Sequence, residues 1–173
     1  CPHPCEGGCR RQMVEEPISI SYLKYFAADR VIAQGGYLPP KAAATGKRVG
    51  IIGGGPGGLT AAYYLSLKGH RVTIVDAMPQ MGGMLRYGIQ NYRLPKDRLN
   101  DDIDAILETG VKVEYGKRIG TDITIQELRK EYDAVLITIG ASTDKKLGIE
   151  GESAEGVISA VRFLRDVGKN LNP

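Results

Sequence analysis

The sequence Val49-Gly50-Ile51-Ile52-Gly53-Gly54-Gly55-Pro56-Gly57-Gly58 joins an apolar strand to a glycine-rich turn and then to a helical stretch. The spacing Gly-x-Gly-x-x-Gly is typical of a turn that meets the pyrophosphate of a dinucleotide. Gly53 permits the tight turn, Gly55 lets the backbone approach a phosphate without a Cβ, and Gly58 lets the next helix lie close to the strand. The stretch therefore predicts a strand–turn–helix unit of the Rossmann type.

The residues that follow favour a dinucleotide site over a turn that serves packing alone, which is the alternative. Pro56 and Gly57 begin the predicted helix, where unpaired N–H groups and a partial positive charge attract an anion. A second strand, 71–75, ends at Asp76, about 20 residues beyond the turn, where a carboxylate would accept hydrogen bonds from ribose hydroxyls. The same carboxylate would repel a 2′-phosphate.

The three cysteines form a second feature, since Cys1, Cys5 and Cys9 all stand within the first nine residues. Such clustering favours a metal over disulfides, because pairing would leave one thiol over. The prolines and glycines between them predict a loop rather than a helix. Thiolates suit an iron–sulfur cluster or zinc, and unligated thiols are the third interpretation. Three ligands complete neither site, so any further ligand would lie upstream or come from His3.

Composition limits the classes of partner. The 23 basic and 20 acidic residues give a net charge of +3 and are interspersed along the chain, which predicts neither nucleic-acid nor membrane binding. The apolar stretches are shorter than a membrane span and no signal peptide is visible. We expect a cytoplasmic protein and, because the first residue is not Met, a piece of a longer polypeptide.

The remaining pattern predicts an α/β fold with a mostly parallel Rossmann-like sheet and helices on its faces. A helix is expected over 18–34 and a linker over 36–47. A long loop, 81–95, should precede a helix with Leu99 and Ile103 on its buried side. A strand over 111–115, a helix capped by Thr124 and Glu127, and a buried strand over 132–139 complete the expected order.

Three groups of residues stand out in the chain. They are Gly53-Gly54-Gly55-Pro56-Gly57-Gly58-Leu59, then Gly82-Gly83-Met84-Leu85-Arg86-Tyr87-Gly88-Ile89 with Tyr92-Arg93-Leu94-Pro95-Lys96, then Ile137-Thr138-Ile139-Gly140-Ala141 before Leu147-Gly148-Ile149. Together they resemble the small subunit of NADPH-dependent glutamate synthase. The flavin half of dihydropyrimidine dehydrogenase and the flavin subunit of bifurcating ferredoxin:NADP oxidoreductases share these motifs.

The resemblance implies a helical domain with two [4Fe-4S] clusters, followed by an FAD domain interrupted by an NADPH domain. Residues 1–35 would be the end of the helical cluster domain, and 48–173 the first half of the FAD-binding domain. Cys1, Cys5 and Cys9 match the second cysteine group of that helical domain.

The resemblance also implies which residues meet FAD. The glycine-rich turn would meet the pyrophosphate, Asp76 the adenosine ribose, and the backbone near Ile119 the adenine. Asp76 departs from the family, whose members often carry Glu there, although the shorter carboxylate can still bind a ribose diol. The implied cofactor-binding residues are Gly53, Gly55, Pro56, Gly57, Gly58, Asp76, Gly82, Gly83, Met84, Leu85, Arg93, Ile119 and Gly140.

The function implied by the resemblance is transfer of electrons from NADPH through FAD to iron–sulfur clusters and then to a redox partner or large subunit. The NADPH site would lie outside this chain, and no side chain here is assigned as acid, base or nucleophile. Two alternatives remain. One is a non-catalytic nucleotide-binding module with a zinc-stapled loop, and the other is a flavin and iron–sulfur electron-transfer adaptor.

Overall fold

The computed structural model describes residues 2–169, so that Cys1 and residues 170–173 lie outside it. The chain divides into two compact units, Cys1–Leu38 and Pro39–Pro173. Among residues 2–169, no helix combines the length and the apolarity needed to cross a bilayer.

The first unit is helical. It contains α1 (Pro4–Gly7), a 3-10 helix (Arg10–Met13) and α2 (Ile20–Ala33), and none of its described residues is buried. The predicted helix over 18–34 is confirmed. The prediction of a loop around the cysteines is wrong in part, because Cys5 lies within α1. Pro4 is compatible with this helix because it occupies the first turn, where its missing N–H is not needed.

The second unit is built on four parallel strands in the order β3-β2-β1-β4. The predicted Rossmann-like α/β class is therefore confirmed. The elements are β1 (Arg48–Ile52), α3 (Pro56–Leu67), β2 (Arg71–Asp76), α4 (Met84–Tyr87), α5 (Lys96–Glu108), β3 (Lys112–Tyr115), α6 (Ile125–Glu131), β4 (Ala134–Ile137) and α7 (Ala160–Lys169).

The main core lies on one face of this sheet, beneath α3 and α5. Ile51 and Ile74 are fully buried there, as is Ala62 of α3. The predicted buried side of α5 is confirmed, since Leu99 and Ile103 are both buried. A smaller cluster on the opposite face includes Leu128, which α6 supplies. Helices on both faces agree with an all-parallel sheet.

The predicted cap of α6 is confirmed. The Glu127 N–H donates to the Thr124 hydroxyl at 3.2 Å, and the Thr124 N–H donates to the Glu127 carboxylate at 2.8 Å. Two backbone donors at the start of the helix thus gain partners. The cap fixes the point at which the chain turns back towards β4.

The predicted buried strand over 132–139 is wrong in its burial. The strand itself forms, but β4 is at the edge of the sheet, and Leu136, Ile137 and Ile139 are 38%, 56% and 66% exposed. A continuous apolar run is typical of a strand buried on both sides. Within residues 2–169, however, no strand pairs with the outer edge of β4, and α6 covers it only in part.

Candidate dinucleotide-binding site

The glycine-rich turn lies at the carboxyl end of β1, between β2 and β4. A Cβ on Gly53, whose φ is +104°, would lie 2.5 Å from the Thr138 carbonyl oxygen. A Cβ on Gly58 would lie 1.9 Å from the Gly53 carbonyl oxygen. Both positions therefore require glycine, and the roles predicted for the turn and for close helix packing have a physical basis.

The start of α3 is open to solvent. Gly55 caps the helix, Pro56 is its first residue, and Pro56 and Gly57 are both exposed. The first N–H groups of an α-helix have no partner within the helix. At this turn they are available to an anion at the positive end of the helix dipole.

Asp76 points back at the turn. Its carboxylate accepts a hydrogen bond from the Gly54 N–H at 2.5 Å and another from the Met78 N–H at 2.7 Å. These two bonds fix the orientation of the side chain. A carboxylate has about four acceptor positions, so Asp76 can still accept from the hydroxyls of a ribose. Asp76 is half-buried at the carboxyl end of β2.

A second glycine loop lies against the first. The Gly82 N–H donates to the Gly54 carbonyl at 2.8 Å. Gly83 has φ +52°, and a Cβ there would lie 2.8 Å from the Gly55 Cα. Met84, which begins α4, is exposed, and Leu85 is half-buried. The structure thus brings the predicted residues Gly82 and Gly83 directly beside the predicted pyrophosphate turn.

Two cations hold this second loop. The buried Arg86 donates from Nε to the Met81 carbonyl at 2.5 Å and from Nη2 to Asn100 Oδ1 at 2.5 Å. Lys96 Nζ donates to the carbonyls of Leu85 at 2.9 Å and Ile89 at 2.6 Å. Burial, with a smaller effect of Arg86, lowers the pKa of the Lys96 amine. These bonds fix the backbone of the loop, and no pattern in the sequence marks Lys96 for this role.

Thr138 is a further residue that the sequence analysis left without a role. Its N–H donates to the Ile52 carbonyl at 2.8 Å, and its hydroxyl lies 3.0 Å from both the Ile52 and the Gly53 carbonyl oxygens. The end of β4 is thereby fastened to the turn. In the sequence, Thr138 is the one polar residue of the apolar run 134–139, and this position could have indicated its role.

Three other predicted residues lie in loops. Arg93 is exposed in the turn before α5, and Gly140 is exposed beyond β4 with φ +64°. Ile119 is half-buried and bridges to Ile123. Ile119 lies near the carboxyl end of β2, because the N–H of Lys117, two residues earlier, donates to the Asp76 carbonyl at 3.0 Å. Their contact with a cofactor stays a prediction.

The donor chemistry of the predicted cluster site suits a metal at one cysteine. Backbone hydrogen bonding to Ile18 and Arg11 lowers the pKa of the Cys9 thiol, which favours the thiolate that metals bind. Cys5 is exposed and Cys1 lies outside the described residues. Residues 2–169 bring together no group of three His, Cys, Asp or Glu side chains that could hold a metal.

The carboxyl edge fits the nucleotide part of FAD. It offers free helix N–H groups, two glycine loops without Cβ atoms, and the Asp76 carboxylate at the end of β2. In open α/β sheets, ligands bind at the carboxyl ends of the strands where the strand order reverses. In the order β3-β2-β1-β4 that reversal falls between β1 and β4, beside the glycine-rich turn.

A family comparison agrees with this geometry. The model for pyridine nucleotide-disulphide oxidoreductases matches residues 47–171. The chain belongs to this family. The match covers the glycine-rich turn, Asp76 and the whole sheet.

Two relatives confirm the resemblance to glutamate synthase small subunits. The small chain of glutamate synthase [NADPH] from Mycobacterium tuberculosis is 35% identical over 165 residues, which are 95% of this chain and 34% of that protein. The β subunit of the NADP(+)-dependent formate dehydrogenase of Moorella thermoacetica is 41% identical over 100% of this chain and 28% of its own. The chain thus spans about a third or less of these relatives.

A solved structure supports the fold of this family member. FprA, an oxidoreductase of Mycobacterium tuberculosis, superposes with a TM-score of 0.63 at 25% identity, over 68% of this chain and 28% of its own. A second structure of FprA is described as a complex with NADPH. This likeness supports the Rossmann-like fold of the chain.

Proposed function

We propose that the full-length protein is a flavin-dependent NAD(P)H oxidoreductase that passes electrons through [4Fe-4S] clusters to a partner subunit. The observation that carries the proposal is the convergence of the two glycine loops and Asp76 on the open start of α3. That arrangement suits the pyrophosphate and ribose of FAD. NADPH is the proposed electron donor, and its site lies outside this chain.

Bound FAD would supply the hydride-accepting and single-electron-donating chemistry. The residues of this chain bind and orient the cofactor. The start of α3 neutralises the phosphates, Asp76 holds the ribose, and the loop braced by Lys96 runs beside the flavin end. None of these side chains is proposed to act as an acid, base or nucleophile.

The cluster part of the proposal rests on the first unit. Cys1, Cys5 and Cys9 would be ligands, together with residues outside this chain. The lowered pKa of the Cys9 thiol, caused first by backbone hydrogen bonding to Ile18 and Arg11, supports a thiolate ligand, because the thiolate is the form that binds a metal. Thiolates stay reduced in the cytoplasm, which is the proposed compartment.

The partner part of the proposal is supported by relatives that are themselves named as subunits. One is the β subunit of an NADPH-Fe(3+) oxidoreductase from Geobacter sulfurreducens, 44% identical over 96% of this chain and 26% of that protein. The exposed Leu136 and Ile137 of β4 support the view that 48–173 is only half of the FAD domain. A further segment of the full-length protein would then cover them.

Cofactor analysis of the full-length protein, purified without oxygen, tests the proposal. Iron and sulfide in matching amounts, together with FAD whose absorption is bleached by NADPH, are expected. Iron, sulfide and FAD without bleaching by NADPH or NADH would favour the electron-transfer adaptor. Zinc without flavin would contradict the proposal and favour the zinc-stapled nucleotide-binding module.

The variant Asp76→Asn tests the assigned flavin site. The amide keeps one acceptor oxygen where the carboxylate uses both, so we expect weaker FAD retention, by about tenfold in Kd. Asp102→Asn on the exposed side of α5 makes the same chemical change away from the site and should retain FAD as the parent does. If both variants retained FAD equally well, the assignment of Asp76 to the flavin site would be wrong.

A further inference from the structure

A cleft of about 540 Å³ opens at the amino ends of the strands, at the opposite edge of the sheet from the glycine-rich turn. It lies within the second unit, and its floor is the start of β1, β2 and β3. The two edges are separated by the length of β1, on the order of 13 Å. The cleft has the volume of a small-molecule site, and the proposed flavin function does not use it.

Three cations line the cleft from one face of the sheet. Arg48 of β1 is in register with Arg71 of β2, and Thr73, two residues further, is in register with Lys112 of β3. Residues two apart on a strand point to the same face, as do residues in register on parallel strands. Arg48, Arg71 and Lys112 therefore project together into the cleft.

The two arginines occupy directly opposed positions on neighbouring strands. Neighbouring strands are about 4.8 Å apart, and like charges in directly opposed positions are unfavourable. The described ion pairs of residues 2–169 include none formed by the Arg48, Arg71 or Lys112 side chain. Asp133, near Arg48, accepts from the Arg48 N–H at 2.8 Å and from Lys47 at 3.5 Å, and the charge of Arg48 makes a smaller contribution to the lowered pKa of its carboxyl.

The charge of the cleft stays positive when its other groups are included. Lys41 also lines it and donates to the Thr109 carbonyl at 2.8 Å. Two carboxylates, Glu114 and Glu131, line it as well, and Glu114 is paired with Lys117 at 2.6 Å. Four cations thus face two carboxylates, one of which is already neutralised.

We propose that this cleft binds a small molecule that carries a diphosphate or phosphate group. The planar guanidinium forks of Arg48 and Arg71 suit bidentate contacts with phosphate oxygens. Lys112 adds a point charge from the neighbouring strand. Two adjacent arginines match the two adjacent phosphates of a diphosphate, and bound phosphate would relieve the repulsion between them. The inference is independent of the proposed flavin function.

Calorimetric titration of the full-length protein with inorganic pyrophosphate tests the cleft. The protein is first saturated with FAD, so that the glycine-rich turn does not compete, and the salt is held at about 0.15 M. We expect one saturable site per chain with a Kd below about 1 mM. The double variant Arg48→Gln/Arg71→Gln should weaken this binding by about tenfold or more, with its flavin content and melting temperature recorded alongside.

A matched control removes the same charge elsewhere. Lys24→Gln/Lys145→Gln replaces two exposed lysines remote in sequence from the cleft strands, and it should bind pyrophosphate as the parent does. Absence of saturable binding to the parent protein would overturn the proposal. So would equal weakening in both double variants, which would indicate attraction to net charge alone. If the protein retains no FAD, the flavin proposal fails while the difference between the two double variants still tests the cleft.

Discussion

Gly57 and Gly58 are neighbours in the first turn of α3 and have opposite surroundings. A Cβ on Gly57 would lie 3.8 Å from the Thr138 side chain, an ordinary contact, whereas one on Gly58 would lie 1.9 Å from the Gly53 carbonyl oxygen. The second contact is with backbone, so the turn or the helix would have to move. Two identical substitutions one residue apart can therefore separate close packing from helix propensity.

We expect Gly58→Ala to lower the free energy of unfolding by about 1–3 kcal/mol, the usual cost of overpacking. Gly57→Ala should be neutral or should raise it by up to about 1 kcal/mol, because alanine is the better helix former. Urea unfolding of the full-length variants measures both. A Gly58→Ala variant as stable as its Gly57→Ala neighbour would show that the turn is not packed as described.

At the scale of elements, the amine of Lys96 is one of the two cations that hold the loop before α5. Lys96 Nζ donates to the Leu85 and Ile89 carbonyls, and Lys96→Met keeps the aliphatic stem while it removes both bonds. A lost hydrogen bond from a charged donor costs about 1.5–3 kcal/mol, so amides of 85–95 should exchange roughly ten to a hundred times faster. FAD retention should fall with it.

Hydrogen exchange followed by mass spectrometry measures this effect. Lys130→Met, at an exposed position of α6, makes the same substitution without touching the loop and should leave exchange of 85–95 unchanged. Exchange unaltered in Lys96→Met would mean that Arg86 alone holds the loop.

The cap of α6 predicts a dependence on pH. The Thr124 N–H and hydroxyl both donate to the Glu127 carboxylate and lower its pKa. A lowered pKa in the folded state stabilises the fold above the unfolded value, about 4.3, and this contribution disappears as pH falls through the folded value. Glu127→Gln should therefore be less stable than the parent near neutral pH and should match it in acid.

Thermal melts from about pH 7 down to about pH 3 measure this difference. Glu155→Gln, exposed beyond β4, serves as the control and should follow the parent at every pH. A difference in melting temperature between Glu127→Gln and the parent that stays constant across this pH range would contradict a role for the carboxylate charge.

The features that could be predicted from the sequence are those that depend on residues close together in the chain. The β1–turn–α3 unit, the capping box and the buried side of α5 rest on spacings within one element, and all are confirmed. The bonds of Lys96 and Thr138 go to backbone carbonyls of other segments, and no side-chain pattern marks those acceptors. The exposure of β4 depends on its place at the sheet edge, which an apolar run cannot show.

For the whole molecule, the stretch 37–47, which joins α2 to β1, is hydrogen-bonded to the second unit in its later part. Lys41, Ala42 and Thr45 form hydrogen bonds to Thr109, Leu67 and Gly69 of the second unit. Tyr37 is 73% exposed and follows two glycines with positive φ. Backbone that is exposed and weakly bonded is where proteases cut first.

We expect limited chymotrypsin digestion of the full-length protein to cleave after Tyr37 before it cleaves after Tyr22 or Tyr25, which are also exposed but lie in α2. The mass and the new N-terminus of the earliest fragments identify the bond. Tyr37→Ser should delay this cut without altering cleavage elsewhere. A first cut after Tyr22 or Tyr25 would contradict the view that the backbone around Tyr37 is the more weakly held.

The hydroxyl of Thr138 reaches the Ile52 carbonyl across 86 residues of sequence, and this separation has a consequence for biosynthesis. At about 5–20 residues per second, a ribosome that has completed the glycine-rich turn needs roughly 4–17 seconds more to synthesise Thr138. Pairing of β1 with β2 closes a much shorter loop and can come first. Until β4 emerges, the nascent chain thus has a glycine-rich turn without the Thr138 hydrogen bonds that hold it in the folded protein.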